Sequence, residues 1–201
     1  MNIRITKTAH QKLRYFIREC ETEISGFGKV REVETVAKTE YQDYEDEINL
    51  LPIKTYLKPE ITKCLEIYDI EILPQEVSGT HATIDEETMA KFLTAKMKAG
   101  QDIKDYKVWW HSHADMQAFF SLTDTTTINQ STEFPFLISI VGNKAGDIKT
   151  RLDIYKPLRF TLEDIELEVG QEENKELLKL CKKEIALKIK KQKYSFLPIK
   201  S

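Results

Sequence analysis

Residues 108–124 read VWWHSHADMQAFFSLTD, and this stretch decides both the fold and the chemistry that we expect. It begins as an apolar run with two tryptophans and ends in His-Ser-His, although the whole chain has only 4 histidines. If residues 107–113 form a strand, side chains alternate, so Trp109, His111 and His113 share one face. Two imidazoles on one face, at the end of a strand, can converge on a single ion.

The end of the same stretch adds a hydroxyl and a carboxylate. Ser121 and Asp124 are three residues apart, and TDTTTINQ is predicted to open a short helix. At the start of a helix these two positions lie on the same side of the first turn. His111, His113 and Asp124 then offer three ligands and leave a fourth position open, which is the composition of a catalytic zinc site. A base must come from a further carboxylate elsewhere in the chain.

Composition predicts one soluble globular domain with an appendage. The 201 residues are 41% hydrophobic and 31% charged, and the net charge of −3 argues against a nucleic-acid binder. The 3 cysteines form no CXXC pair, which argues against a disulfide framework and fits a reducing cytoplasm. We find no signal peptide and no run near the ~18 apolar residues of a membrane span, so we expect neither export nor a membrane anchor.

Strands and helices are mixed along most of the chain, which predicts an α+β or α/β packing around one mixed sheet. We predict a strand at residues 2–5, a helix capped by Thr6 or Thr8 that ends near residues 20–22, a loop or hairpin at residues 41–47, strand-like segments at 48–53 and 70–77, a short helix at 58–68, a helix at 85–98 and two strands within 134–157.

The pattern changes after about residue 157, so we divide the chain into a domain of residues 1–157 and a C-terminal helical extension of residues 158–201. A helix at about 172–192 has an apolar stripe formed by Leu177, Leu178, Cys181 and Ile185. This stripe is predicted to pack on the domain or on a second copy of the chain. The helix contains no histidine, and we expect it to carry no catalytic group.

The motif HXH, seven residues and SXXD, with EISG upstream at residues 23–26, resembles the JAB/JAMM metalloproteases of the bacterial, deubiquitinase-like type. This family is also called the MPN+ domain. HXH alone is weak, but the four-part pattern in this order is specific. The resemblance covers roughly residues 1–157. It implies a cytidine-deaminase-like α+β fold with one mixed central sheet flanked by helices.

The resemblance also implies the role of each motif residue. His111, His113 and Asp124 would hold one Zn²⁺ per chain. Glu23 would take a proton from the attacking water and return it to the leaving amine. Ser121 would hydrogen-bond the developing oxyanion, a contact whose loss costs ~10²-fold or more in rate. Many family members have proline after the second histidine, and Ala114 stands there in this chain.

The function implied is hydrolysis of the peptide or isopeptide bond after a ubiquitin-like or sulfur-carrier protein, in deconjugation or precursor processing. Its extended C-terminal tail is expected to pair with a sheet edge, and the acidic residues 43–47 are candidates to attract a basic tail. One alternative keeps the three ligands but binds Fe(II) as an oxygenase. Another is an MPN-like scaffold that binds a partner without cleaving it.

Other candidate residues have plainer interpretations. His10 and His81 have no partner in the motif and are expected to be ordinary surface or core residues. Asp115 could orient a histidine, but a solvated loop acid is the more common role. Trp109, Trp110, Phe119 and Phe120 are predicted to be core and pocket-wall residues.

Overall fold

The structure is a computed structural model that describes residues 2–36, 43–44, 53–54, 61–78, 81–83, 86–167 and 175–191. Its elements in chain order are β1 Asn2–Ile5, α1 Lys7–Glu19, β2 Ser25–Val36, β3 Asp43–Tyr44, β4 Ile53–Lys54, β5 Ile61–Ile72, β6 Gln75–Ser78, β7 His81–Thr83, α2 Glu86–Lys98, a short 3-10 helix Ile103–Asp105, β8 Val108–Ser112, α3 Leu122–Gln130, β9 Phe136–Gly142, β10 Ile148–Ile154, β11 Phe160–Leu162, α4 Lys175–Lys188 and β12 Ile189–Lys191.

Seven strands form one mixed sheet in the order β1-β5-β2-β8-β9-β10-β11. β1 runs parallel to β5 and β8 runs parallel to β9, whereas the other neighbours are antiparallel. β12, β6 and β7 form a second, three-stranded sheet, and β3 pairs with β4. The predicted α+β class with one mixed sheet and flanking helices is therefore confirmed. β8, which carries His111 and ends one residue before His113, lies at the centre of the large sheet.

α1 covers one face of the sheet because its apolar residues recur at helical spacing. Thr6 caps this helix, since its side chain accepts a hydrogen bond from the Ala9 N–H, and Leu13 and Phe16 are fully buried. Phe16 stacks on Trp110, with ring centroids 5.9 Å apart. The predicted start and end of α1 are both close to the observed ones. The opposite face is covered by the smaller cluster of Phe27, Leu73, Phe92 and Tyr106.

The predicted short helix at residues 58–68 is wrong, because residues 61–72 form β5. Cys64, Leu65 and Tyr68 do recur at helical spacing, but β5 pairs with β1 on one side and β2 on the other. The core residues of β5 alternate as Leu65 and Ile67 and again as Ile70 and Ile72, but the β2–β5 register skips Tyr68, and this bulge shifts the alternation by one residue. Two buried acids stand between these apolar residues, and both are neutralised: Glu66 by Arg4 and Arg31, Glu71 by Lys96.

α4 packs its predicted apolar stripe on the rest of the chain. Cys181 is 1% exposed within the main core, and Leu177, Leu178 and Ile185 pack against that core. The helix is shorter than predicted, since residues 189–191 form β12, which pairs with β6. β11, also beyond residue 157, adds an edge strand to the large sheet. The domain division at residue 157 stays a prediction.

Two predictions fall largely outside the described residues: the loop at 41–47 and the strand at 48–53. Within the described part, the helix predicted at 85–98 is confirmed as α2, and the two strands predicted within 134–157 are confirmed as β9 and β10. None of the described helices is long and apolar enough to cross a membrane.

Candidate metal site

The three predicted ligands come from two neighbouring elements. His111 lies in β8 and His113 directly after it, while Asp124 lies in the first turn of α3. α3 begins at Ser121 because the serine and the aspartate form a capping box. Ser121 Oγ accepts a hydrogen bond from the Asp124 N–H at 3.1 Å, and Asp124 Oδ2 accepts one from the Ser121 N–H at 2.8 Å. The cap holds the Asp124 carboxylate beside the strand end.

His111, His113 and Asp124, here called the metal cluster, bring one ligand atom each to within 4.8 Å of one another. The two Nε2 atoms of His111 and His113 are 3.2 Å apart. Asp124 Oδ2 lies 3.4 Å from His111 Nε2 and 4.0 Å from His113 Nε2. Both histidines are buried and Asp124 is half-buried. The sequence therefore placed these three residues together correctly.

The tautomer of His113 follows from its other ring nitrogen. His113 Nδ1 is 2.8 Å from the carbonyl oxygen of Gln117, and a carbonyl only accepts, so Nδ1 carries the proton. In the neutral ring Nε2 then presents a lone pair toward His111 and Asp124. A backbone carbonyl on the distal nitrogen is a common way to orient a metal-binding histidine. Gln117 was missed by the sequence analysis because a carbonyl exists at every residue and gives no signal.

This donor set fits a divalent metal ion. Two imidazole nitrogens and a carboxylate oxygen converge on one point, and electron-pair donors so close to one another need a cation or a shared proton between them. His111 Nδ1 is buried and, among the described residues, has no hydrogen-bond partner. The cluster can therefore bind a metal ion, and its chemistry allows zinc as well as other first-row metals.

The Asp124 carboxyl is ionised at neutral pH. Burial on its own raises the pKa of this group, but the hydrogen bond and charge of His111, together with two hydrogen bonds from Ser121, outweigh it and lower the pKa to about 2. An anionic carboxylate suits a metal ligand. It is a weak base, however, so proton transfer near neutral pH needs a different group.

Aromatic rings form the walls around the histidines, as predicted. Trp109 stacks on His111 with ring centroids 4.8 Å apart, and Phe119 meets His113 edge-on at 4.9 Å. Phe120 lies edge-on to His111 at 6.3 Å. Trp110 points to the opposite side and is fully buried in the main core. The two histidines are buried beside these rings, and the lower local dielectric strengthens electrostatic interactions among the ligands.

Residues 23–26, here called the base segment, run alongside the end of β8. Ser25 pairs with His111 and Gly26 with Trp110 in the antiparallel β2–β8 register. Glu23 precedes Ser25 by two residues and His113 follows His111 by two, so both lie just outside the paired strands, at the same end of the sheet. Glu23 is half-buried. The structure thus brings the predicted base to the strand end that carries the metal cluster.

Gly26 is needed because two neighbours approach its backbone closely. A Cβ at this position would lie 2.0 Å from the carbonyl oxygen of Glu71 and 2.7 Å from Trp110 Nε1. The same Trp110 nitrogen donates to that carbonyl at 3.1 Å. No side chain fits in this space, so the glycine of the EXXG segment keeps β2 close to β5 and β8.

Ser121 is placed beside Asp124. Its hydroxyl donates to Asp124 Oδ2 at 2.6 Å, so its single proton is directed at the ligand in this structure. The expected role of Ser121 toward an oxyanion stays a prediction.

Asp115 is a loop acid. Its carboxylate pairs with Lys144 at 3.1 Å and is 80% exposed. His10 lies in α1, where burial and then the nearby Arg14 lower the pKa of its imidazole. His81 lies in β7. The placements of Asp115 and His10 match their plainer interpretations, and the interpretation of His81 stays a prediction.

The backbone conformation at residue 114 explains why alanine and not proline follows the second histidine in this chain. Its φ is 45°, in the left-handed region, and a proline ring holds φ near −65°. The Ala114 carbonyl accepts a hydrogen bond from Lys144 N–H at 2.9 Å, and His113 N–H donates to the Gly142 carbonyl at 2.9 Å. The loop that leaves the metal cluster is therefore tied to the β9–β10 turn in a conformation that excludes proline.

Comparison with known proteins agrees with this geometry. A family model described as prokaryotic homologs of the JAB domain matches residues 34–155, which is more than half of the chain. The match contains the metal cluster and Ser121 and begins after the base segment. No curated protein matches the chain significantly. The chain belongs to the prokaryotic JAB family.

Proposed function

We propose that the protein is a zinc-dependent isopeptidase that cleaves the bond after the C-terminus of a ubiquitin-like or sulfur-carrier protein. The observation that carries this proposal is the convergence of His111, His113 and Asp124 at the end of β8, the strand with which Ser25, two residues after Glu23, is paired. Membership of the prokaryotic JAB family supports it. We also propose that the layers follow the cytidine-deaminase-like arrangement expected for this family.

The metal cluster would hold the zinc ion through two imidazole nitrogens and one carboxylate oxygen. When bound there, zinc would polarise the scissile carbonyl and lower the pKa of a water molecule toward 7. The protein's own contribution begins with orientation, because Gln117 fixes the His113 ring and Ser121 fixes the Asp124 carboxylate. These contacts hold the ligands in place before the substrate arrives.

Glu23 is proposed as the general base and then the general acid. Asp124 is held ionised with a pKa of about 2, so it is a poor proton acceptor at neutral pH. Glu23 would accept the proton of the attacking water and pass it to the leaving amine. Ser121 would donate to the oxyanion once its hydroxyl turns from Asp124 toward the substrate.

A polypeptide substrate is supported by the surface around the site. Met116 and Phe119, in the segment between the second histidine and α3, and Leu122, the first residue of α3, are 45%, 52% and 88% exposed. Exposed apolar side chains at a functional site commonly contact a protein partner. We propose that the substrate tail binds in extended form beside this segment, by pairing with a strand edge.

The partner, the compartment and assembly remain proposals. The three cysteines are free and buried, which suits a reducing cytoplasm. We propose no nucleic-acid or membrane partner. An assembly contact through α4 would use its exposed Leu180 and Leu187, because the stripe that includes Cys181 is already packed on α1.

The proposal is tested by metal analysis combined with a cleavage assay. Purified protein is expected to contain about one zinc per chain. It should cleave fusions to the ubiquitin-like proteins of its own genome, and a chelator should abolish the cleavage until zinc is restored. Stoichiometric iron with oxidation of a cosubstrate and no cleavage would favour the oxygenase. Metal-free protein that binds a partner without cleaving it would favour the scaffold.

A further inference from the structure

The base segment is held by side chains from distant parts of the chain. β5 ends at Ile72, and on that side the backbone of Ser25, the first residue of β2, keeps one long backbone hydrogen bond, from the Leu73 N–H to its carbonyl at 3.3 Å. The Gln75 amide supplies further hydrogen bonds on that side. Its Oε1 accepts a hydrogen bond from the Ser25 N–H at 2.9 Å, and its Nε2 donates to the Ser25 carbonyl at 2.7 Å.

Gln75 is suited to this role because it is fully engaged. It is 6% exposed, and its second amide proton goes to the Leu73 carbonyl at 2.9 Å. On the other side of the segment, the fully buried Ser112 accepts a hydrogen bond from Ile24 N–H at 3.2 Å. Two buried side chains thus bond the backbone of the two residues that follow Glu23. Satisfied buried polar groups of this kind rigidify their surroundings.

The C-terminal segment supports Gln75 in turn. Ile189 of β12 pairs with Gln75 in the parallel β12–β6 register. α4 also contacts the end of β5: Glu184 accepts from Ile72 N–H at 3.1 Å, and Lys188 donates to the Ile72 carbonyl at 2.8 Å. Ile72 is the partner of Gly26 in the β2–β5 register. A continuous set of contacts therefore connects α4 and β12 to the base segment.

We propose that Gln75, supported by α4 and β12, is a positioning residue that sets the place of Glu23 relative to the metal cluster. The role of Glu23 itself rests on the proposed function. General base catalysis depends on geometry, and a misplacement of about 1 Å can cost 10²-fold in rate. The extension would then contribute no catalytic group, yet the rate would depend on it through the backbone of the base segment.

The test replaces Gln75 with methionine, which keeps the length of the side chain and removes all three hydrogen bonds. In metal-free protein, amide exchange at Ile24 and Ser25 should become at least about 10-fold faster than in the wild type. In zinc-loaded protein, kcat should fall roughly 10- to 100-fold while zinc per chain stays unchanged. Lys188→Met should change both quantities in the same direction by a smaller factor.

Val77→Ala is the matched control, because Val77 lies on the same strand, is 2% exposed and packs in the core. It should lower the temperature of unfolding while leaving kcat within about 3-fold of the wild type. Glu76→Ala, at an exposed position between them, should change neither. If Val77→Ala reproduces the loss of kcat, the effect is general destabilisation and the proposal is wrong.

Two further results separate this proposal from the proposed function. Wild-type protein that cleaves no ubiquitin-like fusion would contradict the proposed function. In that case amide exchange at Ile24 and Ser25 alone would show whether Gln75 positions the base segment. Unchanged exchange at Ile24 and Ser25 in Gln75→Met would overturn the proposal in either case. If Gln75→Met does not fold, Gln75→Glu serves instead, since it keeps one acceptor and sets a carboxylate oxygen against the Ser25 and Leu73 carbonyls, so the same losses are expected.

Discussion

The metal cluster and the base segment meet at one strand end, but they are built in different ways. The cluster comes from one strand and the helix that follows it, so its three ligands lie within residues 111–124 and its cap is local. The base segment depends on Gln75 and Ser112, which are 50 and 88 residues away from the backbone groups that they bind. We therefore expect substitutions far from the site to affect proton transfer by Glu23 more than metal binding by the cluster.

The largest effect is expected from removing a ligand. Asp124→Ala leaves only two imidazoles, so zinc per chain should fall well below one and cleavage should be lost. Elemental analysis and the fusion assay measure both quantities. Asp115→Ala, which removes an exposed aspartate from the loop before α3, is the control and should keep zinc and activity. Full zinc occupancy in Asp124→Ala would show that the carboxylate is not a ligand.

The next largest effect is expected in the base segment, as a loss of stability when Gly26 is replaced. Gly26→Ala places a Cβ 2.0 Å from the Glu71 carbonyl oxygen, so β2 must move away from β5. We expect the free energy of unfolding to fall by about 3 kcal/mol, measured by denaturant titration. Gly142→Ala is the comparison, because its Cβ would closely approach only the end of the Ile17 side chain, at 2.7 Å, with the Asp147 carbonyl oxygen at 3.5 Å. Equal losses in the two variants would contradict the special role of Gly26.

A smaller effect is expected at Ser121, which caps α3 and is also the proposed oxyanion donor. Ser121→Ala removes the α3 cap, at a cost of about 1 kcal/mol in stability, and removes the proposed oxyanion donor, at about 10²-fold in kcat. Zinc should remain bound at saturating metal, because all three ligands are kept. Thr123→Ala, an exposed change in the same first turn of α3, controls for the helix. A kcat equal to the wild type would limit Ser121 to capping.

The smallest effect is expected at Ala114, where the loop adopts a left-handed backbone. Ala114→Gly should raise the free energy of unfolding by up to about 1 kcal/mol, because glycine adopts positive φ without steric cost. Ala118→Gly, in the same loop at a residue without positive φ, should give no gain. Thermal denaturation compares the two. Destabilisation by Ala114→Gly would contradict the backbone explanation for the missing proline.

The metal cluster could be predicted from the sequence, whereas the contacts that hold the base segment could not. Alternation along β8 and the spacing of Ser121 and Asp124 are local patterns, and they placed the metal cluster correctly. Residues 58–68 failed because the bulge at Tyr68 interrupts the alternation of β5, and Cys64, Leu65 and Tyr68 then fall at helical spacing. The hydrogen bonds of Gln75 and the carbonyl of Gln117 depend on tertiary packing, and no local pattern indicates them.

The central claim is that Glu23 transfers protons without binding the metal, and Glu23→Gln tests it most directly. The amide keeps the shape of the side chain but cannot accept the proton of the attacking water. We predict unchanged zinc per chain and a kcat lower by roughly 10²- to 10⁴-fold on a ubiquitin-like fusion. Loss of zinc in this variant would make Glu23 a ligand, and cleavage at the wild-type rate would show that the base lies elsewhere.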